Sequence, residues 1–261
     1  MLLFAAAPAL AQTSKQNGYS ETSSSDFRAR AGITLEYKPC NSLTLSLGEE
    51  LRAMQSLRSF DRAMTSLGVE WGAFKHFDVG VGYTLINALK TPSDAAPYMG
   101  GPRHRAYVNA EYTLPLGNFR LSLRERVQCT WRTDSVNVAE KANPSLVLRS
   151  RLKLSYKCVR APLVPYAYFE LYNTLNAPYV SLDGLSGAAS GASLQNYVCR
   201  YRAGAGLKYR FNRHTSLSAY YTFDDDINYD VNITRGKGKV NRVVRETQLR
   251  HIIGVELTHR F

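Results

Sequence analysis

The stretch FRLSLRERVQCTWR, residues 119–132, separates its side chains by parity. Its even positions carry four arginines, and its odd positions are apolar except for one acid, Glu125. Because a β-strand turns successive side chains to opposite faces, the segment has one basic face and one apolar face. A soluble barrel would turn the apolar face toward its core, whereas a membrane barrel would turn it toward lipid.

The same alternation recurs along the chain, mostly in segments of ten to fifteen residues. A tilted strand that crosses a bilayer needs about 9–11 residues, whereas an ordinary strand has about 5–6. The segments therefore predict strands long enough to span a membrane. They comprise residues 27–37, 42–53, 62–73, 77–88, 103–114, 119–132, 146–157, 163–172, 197–211, 215–224 and 250–261.

The connections between these segments alternate between short and long. The short links are residues 39–41, 75–76, 116–118, 159–162 and 212–214, and the long polar links are 54–61, 89–102, 133–145, 173–196 and 225–249. Outer-membrane barrels have short periplasmic turns on one rim and long extracellular loops on the other. The alternation therefore favours such a barrel over a soluble sandwich.

Aromatic residues of the apolar faces gather at both ends of the segments. Trp71 and Phe119 lie beside short links, Trp131 and Phe223 lie at the opposite ends, and aliphatic residues lie between them. Two aromatic belts around an aliphatic band match the two interfaces of a bilayer. The chain ends on Phe261, which resembles the C-terminal signal read by the barrel assembly machinery. We predict an all-β, antiparallel transmembrane barrel whose apolar faces contact outer-membrane lipids.

Strand direction decides the predicted strand number. Segments 27–37 and 250–261 would both run toward the periplasm, so antiparallel closure requires an ascending strand before residue 27. Residues 13–25 are the only candidate for it. We predict twelve strands, with ten as the fallback if one segment is not a strand.

The N-terminus predicts export. MLLFAAAPALAQTSKQ combines an apolar run with small residues before Gln12, as at the end of a signal peptide. We therefore divide the chain into a signal-peptide remnant (1–11), a polar segment or weak first strand (12–26) and the barrel (27–261). The expected location is the outer membrane of a Gram-negative bacterium.

The net charge of +12 comes mainly from arginines at alternating strand positions. A nucleic-acid-binding surface would gather them on one helix or tail, so we expect no nucleic-acid partner. Twenty basic but only eight acidic side chains would point inward in the predicted strands, which leaves twelve cations unpaired. Unpaired buried charges are costly, so the lumen should hold water or small anions. The predicted basic ladder is Arg103, Arg105, Arg120, Arg124, Arg126, Arg149, Arg151, Arg200, Arg202 and Arg250, with Glu50, Glu70, Glu111, Glu170 and Glu256 as its acidic partners.

Three function classes follow from this lumen. The first is a small, passive, anion-preferring pore, and the second is a structural or partner-binding barrel with a plugged lumen and an unidentified protein partner. The third is an outer-membrane enzyme, which we do not expect. Ser150 and His104 are separated by a whole strand, and the five histidines form no cluster. No catalytic residue, metal site or cofactor is predicted.

Two acids, Glu49 and Glu125, interrupt the apolar faces. A carboxylate that faces the middle of a bilayer is costly. Either a β-bulge that rotates it inward or a position at the rim would remove the conflict.

Several blocks of the chain resemble an uncharacterised outer-membrane barrel family of Gram-negative bacteria, domain of unknown function number 2490. The resemblance runs from about residue 26 to the C-terminus, and PRHR (102–105) and LRERVQ (123–128) are its most specific parts. It implies a barrel in the outer membrane. It supplies no activity, so no catalytic residues are carried over.

Overall fold

In a computed structural model the chain forms one closed β-barrel. The structure describes residues 14–16, 18–88, 101–134, 137, 140–178, 196–233 and 240–261. The predicted signal-peptide remnant, residues 1–11, lies outside the described residues. In the described part of the chain, no helix is both long and apolar enough to cross a membrane. The strands are β1 (Ser14–Gln16), β2 (Tyr19–Cys40), β3 (Leu43–Met54), β4 (Ser59–Phe74), β5 (Phe77–Ala88), β6 (Arg103–Leu116), β7 (Phe119–Arg132), β8 (Ser145–Tyr156), β9 (Leu163–Thr174), β10 (Tyr197–Arg210), β11 (Thr215–Ile233) and β12 (Val240–Arg260).

Strands β2 to β12 close the barrel. Each pairs antiparallel with its neighbours in the chain, and β2 also pairs with β12, so the barrel has no free edge along this seam. The short β1 only adds a hairpin to one end of β2. All eleven predicted segments are strands, which confirms the all-β barrel.

The predicted strand number is wrong. The barrel has eleven strands, neither twelve nor ten, because β12 pairs with β2 in parallel from Val243 opposite Tyr19 to Arg260 opposite Glu36. Residues 19–25 continue β2 instead of forming a separate ascending strand. A parallel ladder also satisfies the backbone N–H and C=O groups, so an odd number of strands closes as well as an even one.

Two predicted long links are also wrong in extent. The link at 54–61 is only a turn at 55–58, where three residues have positive φ angles. Much of 225–249 is strand, because β11 and β12 continue as a hairpin to Ile233 and from Val240. This extension places Asp226 on a strand opposite Gln248. Residues 89–100 and 179–195, which make up most of the predicted links 89–102 and 173–196, lie outside the described residues.

The outer wall of the barrel is apolar. Alternate residues of the strands turn large hydrophobic side chains outward, as in β7, where Leu123 and Val127 are about half exposed. Exposed aromatic rings lie near both ends of the strands: Tyr37, Trp71, Tyr112, Phe119, Tyr209 and Phe261 beside the short turns, and Phe60, Tyr83, Trp131, Tyr201, Tyr221 and Phe223 toward the other end.

Glu49 and Glu125 remain on the outer wall, and neither predicted escape applies. The ladders on both sides of β7 run without a register shift, and Glu125 lies near the middle of the strand, six residues after Phe119 and seven before Arg132. Its cross-strand neighbour Ser150 donates a hydrogen bond of 2.6 Å to the carboxylate. Glu49 lies between exposed Leu47 and Leu51, away from the register shift between Arg52 and Ala53. The hydrogen bond to Ser150 offsets part of the cost of turning Glu125 outward.

Four glycines make room for tyrosine rings inside the barrel. Gly82, Gly204, Gly206 and Gly254 lie directly opposite Tyr107, Tyr168, Tyr166 and Tyr220 in the register. A Cβ atom at Gly82 would lie 2.3 Å from Cζ of Tyr107, so only glycine lets the ring lie against the neighbouring strand. Two of these rings lie under interior cations, Tyr107 under Arg126 and Tyr166 under Lys153.

Candidate functional site

Seven neighbouring strands each carry one charged residue at the same level of the sheet. We call this row, read from β7 through β12 to β2, the charge row. Each member lies directly opposite the next in the register. The charge row comprises Arg124, Arg151, Glu170, Arg202, Asp224, Arg250 and Asp26. All its positions have inward parity, and from Arg151 to Asp26 each residue faces an opposite charge on the next strand, whereas Arg124 and Arg151 are like charges that face each other.

Glu170 is the centre of the charge row. Its side chain is 1% exposed and receives two hydrogen bonds, of 2.7 and 2.9 Å, from Nη2 of Arg149. Nη1 of Arg202 lies 3.4 Å from its Oε2, and nitrogens of Arg124 and Arg151 lie 3.7 and 3.9 Å from its Oε1. One carboxylate therefore lies within 4 Å of four guanidinium groups.

Arg202 connects Glu170 to the next acid. It binds Asp224 through both Nε and Nη2, the latter at 2.7 Å, and Asp224 is fully buried. A bidentate pair of this kind fixes the guanidinium plane and strengthens the interaction. The network is therefore rigid on the β9–β11 side of the barrel.

Tyr172 holds three guanidinium groups around one ring. The centres of Arg149, Arg200 and Arg202 lie 5.0, 5.0 and 5.2 Å from the ring centroid. Nη1 of Arg202 donates to the hydroxyl at 2.7 Å, and the hydroxyl donates to Glu170 at 3.0 Å. The ring stabilises neighbouring cations that would otherwise repel one another.

A cavity of about 530 Å³ lies inside the barrel, toward the end that carries the long loops. Residues of ten strands line it, so it is part of the lumen and not a groove in the wall. We call it the arginine cavity, because its lining includes Arg28, Arg30, Arg52, Arg62, Arg103, Arg105, Arg149, Arg200, Arg202 and Arg250.

Carboxylates compensate only part of this charge. In the part of the chain that the structure describes, the carboxylates within 4 Å of the ten arginines number six: Asp26, Glu50, Asp61, Glu170, Asp224 and Asp226. Ten cations against six anions leave an excess of four positive charges. Among the described side chains, Arg30, Arg103 and Arg105 have no carboxylate within 4 Å. The surroundings of the cavity therefore carry more positive than negative charge.

A second cavity, of about 670 Å³, continues from the arginine cavity toward the long loops. The two share lining residues that include Arg103, Arg200 and Arg250. Lys141, in the connection between β7 and β8, lines this outer cavity. Burial, together with nearby Arg132 and Arg103, lowers the pKa of Lys141 below that of an ordinary lysine. Beyond the residues that it shares with the arginine cavity, the outer cavity is lined by two cations, Arg132 and Lys141, and by two carboxylates, Glu140 and Glu246.

The structure brings most of the predicted ladder together and separates the rest. Of its arginines, Arg124, Arg149, Arg151, Arg200, Arg202 and Arg250 contact carboxylates. Within the described residues, Arg103, Arg105, Arg120 and Arg126 contact none. Arg126 instead packs on Tyr107, 3.9 Å above the ring centroid, and donates to Asn109.

Three of the five predicted acidic partners contact arginines in the structure, and two do not. Glu50 binds Arg52, Glu111 lies 3.2 Å from Arg151, and Glu170 is the centre of the network. No arginine or lysine of the described part lies within 4 Å of Glu70 or Glu256. Glu256 instead accepts a hydrogen bond of 2.9 Å from Thr34.

Sequence reasoning omitted important members of the site. Asp226, which binds both Arg200 and Arg250, lies in the predicted link 225–249. Asp26, which binds Arg28 at 2.7 Å, lies in the predicted polar segment 12–26. Continuing the alternation of β2 and β11 beyond the apolar segments would have found both. Phe261 directly follows β12, and its backbone N–H donates to the backbone carbonyl of Glu36 at 2.9 Å.

Comparisons with known proteins place the chain in a family and show similar folds. The family model described as "Protein of unknown function (DUF2490)" matches residues 27–225. The NanC porin is 12% identical, with a TM-score of 0.44 over 84% of this chain and 93% of the porin. Outer-membrane expressed OmpT of Vibrio cholerae is 12% identical, with a TM-score of 0.36 over 79% of this chain and 57% of OmpT. The trimer form of in-vitro folded OmpT is 11% identical, with a TM-score of 0.34 over 83% of this chain and 92% of OmpT. No curated protein sequence matches the chain.

Proposed function

The chain belongs to the DUF2490 family, and we propose that it forms a small, passive, anion-preferring pore in the outer membrane of a Gram-negative bacterium. The observation that carries this proposal is the arginine cavity, with its excess of four positive charges. A guanidinium group stays protonated at any pH a cell meets, so this charge cannot be lost by titration. Water and mobile anions in the lumen would compensate it.

The outer wall supports the membrane location. Its exposed aliphatic side chains lie between two sets of aromatic rings, the arrangement that a barrel presents to lipid and to the two interfaces. Outer-membrane lipids are therefore proposed as one partner. The barrel assembly machinery is proposed as another, and it would recognise the exposed ring of Phe261.

A barrel with a plugged lumen is the second candidate. The side chains that contact Glu170 inside the barrel favour it. Arg149, Arg202 and Tyr172 contact Glu170, whose side chain is 1% exposed, and together they fill part of the barrel cross-section. Such a barrel would act through its extracellular loops on a partner. We propose no catalytic role for either form.

Charge reversal in the arginine cavity tests the pore. In the double variant Arg30→Glu/Arg105→Glu, each substitution changes the cavity charge by two, so the excess of four falls to zero. Neither arginine forms an ion pair within the described residues, so no salt bridge is lost. We expect the reversal potential in a planar bilayer under a salt gradient to move toward cation preference.

The matched control is Arg120→Glu/Arg210→Glu, at the opposite end of the barrel. Neither residue lines the arginine cavity or lies within 4 Å of a described carboxylate. A heat-shift gel would verify that both variants fold. If the cavity variant keeps the reversal potential of the unmodified protein, or shifts it no more than the control does, the arginine cavity does not set selectivity and the proposal is wrong.

A further inference from the structure

We propose that the arginine cavity is a saturable binding site for a compact oxyanion with three or four negative charges. This deepens the proposed function, since it names the class of solute that the pore would hold. The inference rests on the same cavity, but binding can be measured without any current.

Arginines face each other directly in the register around this cavity. Arg30 lies opposite Arg52, and Arg52 lies opposite Arg62, so three adjacent strands carry a row of like charges. Like charges directly opposite each other destabilise a sheet. The carboxylates of Glu50 and Asp61 compensate Arg52 and Arg62. Of these three arginines, Arg30 keeps an uncompensated charge, which a bound anion would compensate.

A second set of arginines faces the cavity from another part of the wall. Arg103 and Arg105 extend from β6, and Arg105 uses Nε to donate to Thr130 at 3.2 Å. Its two terminal nitrogens have no partner among the described residues. Arg52 and Arg149 are close enough to Arg105 to repel its charge. Planar guanidinium forks of this kind bind carboxylate or phosphate oxygens in pairs.

The lining of the arginine cavity also indicates that the ligand has no sugar or base that stacks on an aromatic ring. Tyr172 is the one aromatic residue that lines the arginine cavity among the described residues, and it is only 6% exposed because guanidinium groups surround its ring. No ring face remains on which a sugar or base could stack. A cavity of about 530 Å³ accommodates a small molecule, whereas a chloride ion is too small to reach several arginines at once. The geometry therefore fits an ion that is mostly charged oxygens.

Calorimetry on the full-length, refolded barrel in a neutral detergent tests the site. The probes are tripolyphosphate for phosphoryl oxyanions and citrate for polycarboxylates, with chloride as the simple anion. We expect one saturable site per barrel for at least one of the two polyanions and no saturation by chloride. Affinity should fall as salt is raised, because the contacts are ionic. The relative affinities of tripolyphosphate and citrate would identify the type of oxyanion.

Neutral substitutions locate the ligand. Arg30→Gln and Arg105→Gln should each weaken binding about tenfold, since each removes a charged hydrogen-bond donor. Arg120→Gln removes the same charge outside the cavity and should change the affinity less than about twofold. If all three variants lose affinity equally, binding follows net charge alone and the site is refuted.

The outcomes for the site and for the pore can be separated. An anion-selective pore that neither polyanion saturates would overturn the binding site and leave the proposed function in place. Saturable binding without any conductance would overturn the pore and retain the site.

Discussion

Glu170→Gln is expected to lower the free energy of unfolding by about 3–5 kcal/mol, the largest effect of any single change considered. The substitution keeps the size of the side chain but removes the negative charge that lies within 4 Å of Arg124, Arg149, Arg151 and Arg202. These guanidinium groups cannot release a proton, so they would remain charged next to one another. Unfolding by denaturant in lipid vesicles, followed by tryptophan fluorescence, measures the loss.

Glu256→Gln is the matched control. It also removes one inward carboxylate, but no cation of the described residues lies within 4 Å of Glu256, and Thr34 can still donate to the amide oxygen. We expect it to change the free energy of unfolding by less than about 1 kcal/mol. Equal losses of unfolding free energy in the two variants would show that the arginines around Glu170 do not depend on its charge.

Gly82→Ala should destabilise the barrel by about 1–3 kcal/mol, because the added methyl group meets the ring of Tyr107. Its Cβ would lie 2.3 Å from both Cζ and Oη of that ring. The ring must rotate, and with it the support for Arg126, whose guanidinium lies 3.9 Å from the ring centroid. The same denaturant titration measures the effect.

Two further variants isolate the ring contact. Gly72→Ala adds the same methyl group to a strand, but its nearest contact is Oδ1 of Asp78 at 3.4 Å, so we expect little loss. In a Tyr107→Ala background, Gly82→Ala should cost almost nothing, which a double-mutant cycle reports as coupling. A full loss in that background would assign the cost to the backbone of β5 and not to the ring.

Side-chain alternation was sufficient to predict the wall of the barrel. In β7, each apolar odd residue lies outward and each arginine lies inward, because a regular ladder preserves parity from Phe119 to Arg132. Parity also placed Glu170 inside the barrel. It could not show that four arginines would converge on that carboxylate, since this depends on the stagger between strands.

The closure of the barrel could not be predicted from strand direction. The antiparallel rule requires an even number of strands, yet Tyr19–Glu36 of β2 lies parallel to Val243–Arg260 of β12. The polar residues 19–25 lack the apolar alternation that marked the other strands, because this end of β2 lies beyond the apolar band. Asp26 and Asp226 were missed for the same reason, and they compensate three arginines of the cavity. The ten arginines of the cavity exceed the carboxylates within 4 Å of them by four, and the predicted excess of twelve refers to the whole lumen, which is a larger set of residues.

The reversal potential of the unmodified protein in a planar bilayer tests the central claim most directly. Under a tenfold gradient of potassium chloride, perfect selectivity for one ion gives a limit of about 59 mV. The excess positive charge of the arginine cavity predicts a reversal potential that has the sign of chloride selectivity. Its magnitude should be more than half of that limit. A reversal potential with the sign for potassium would contradict the claim that these arginines make the barrel a pore for anions.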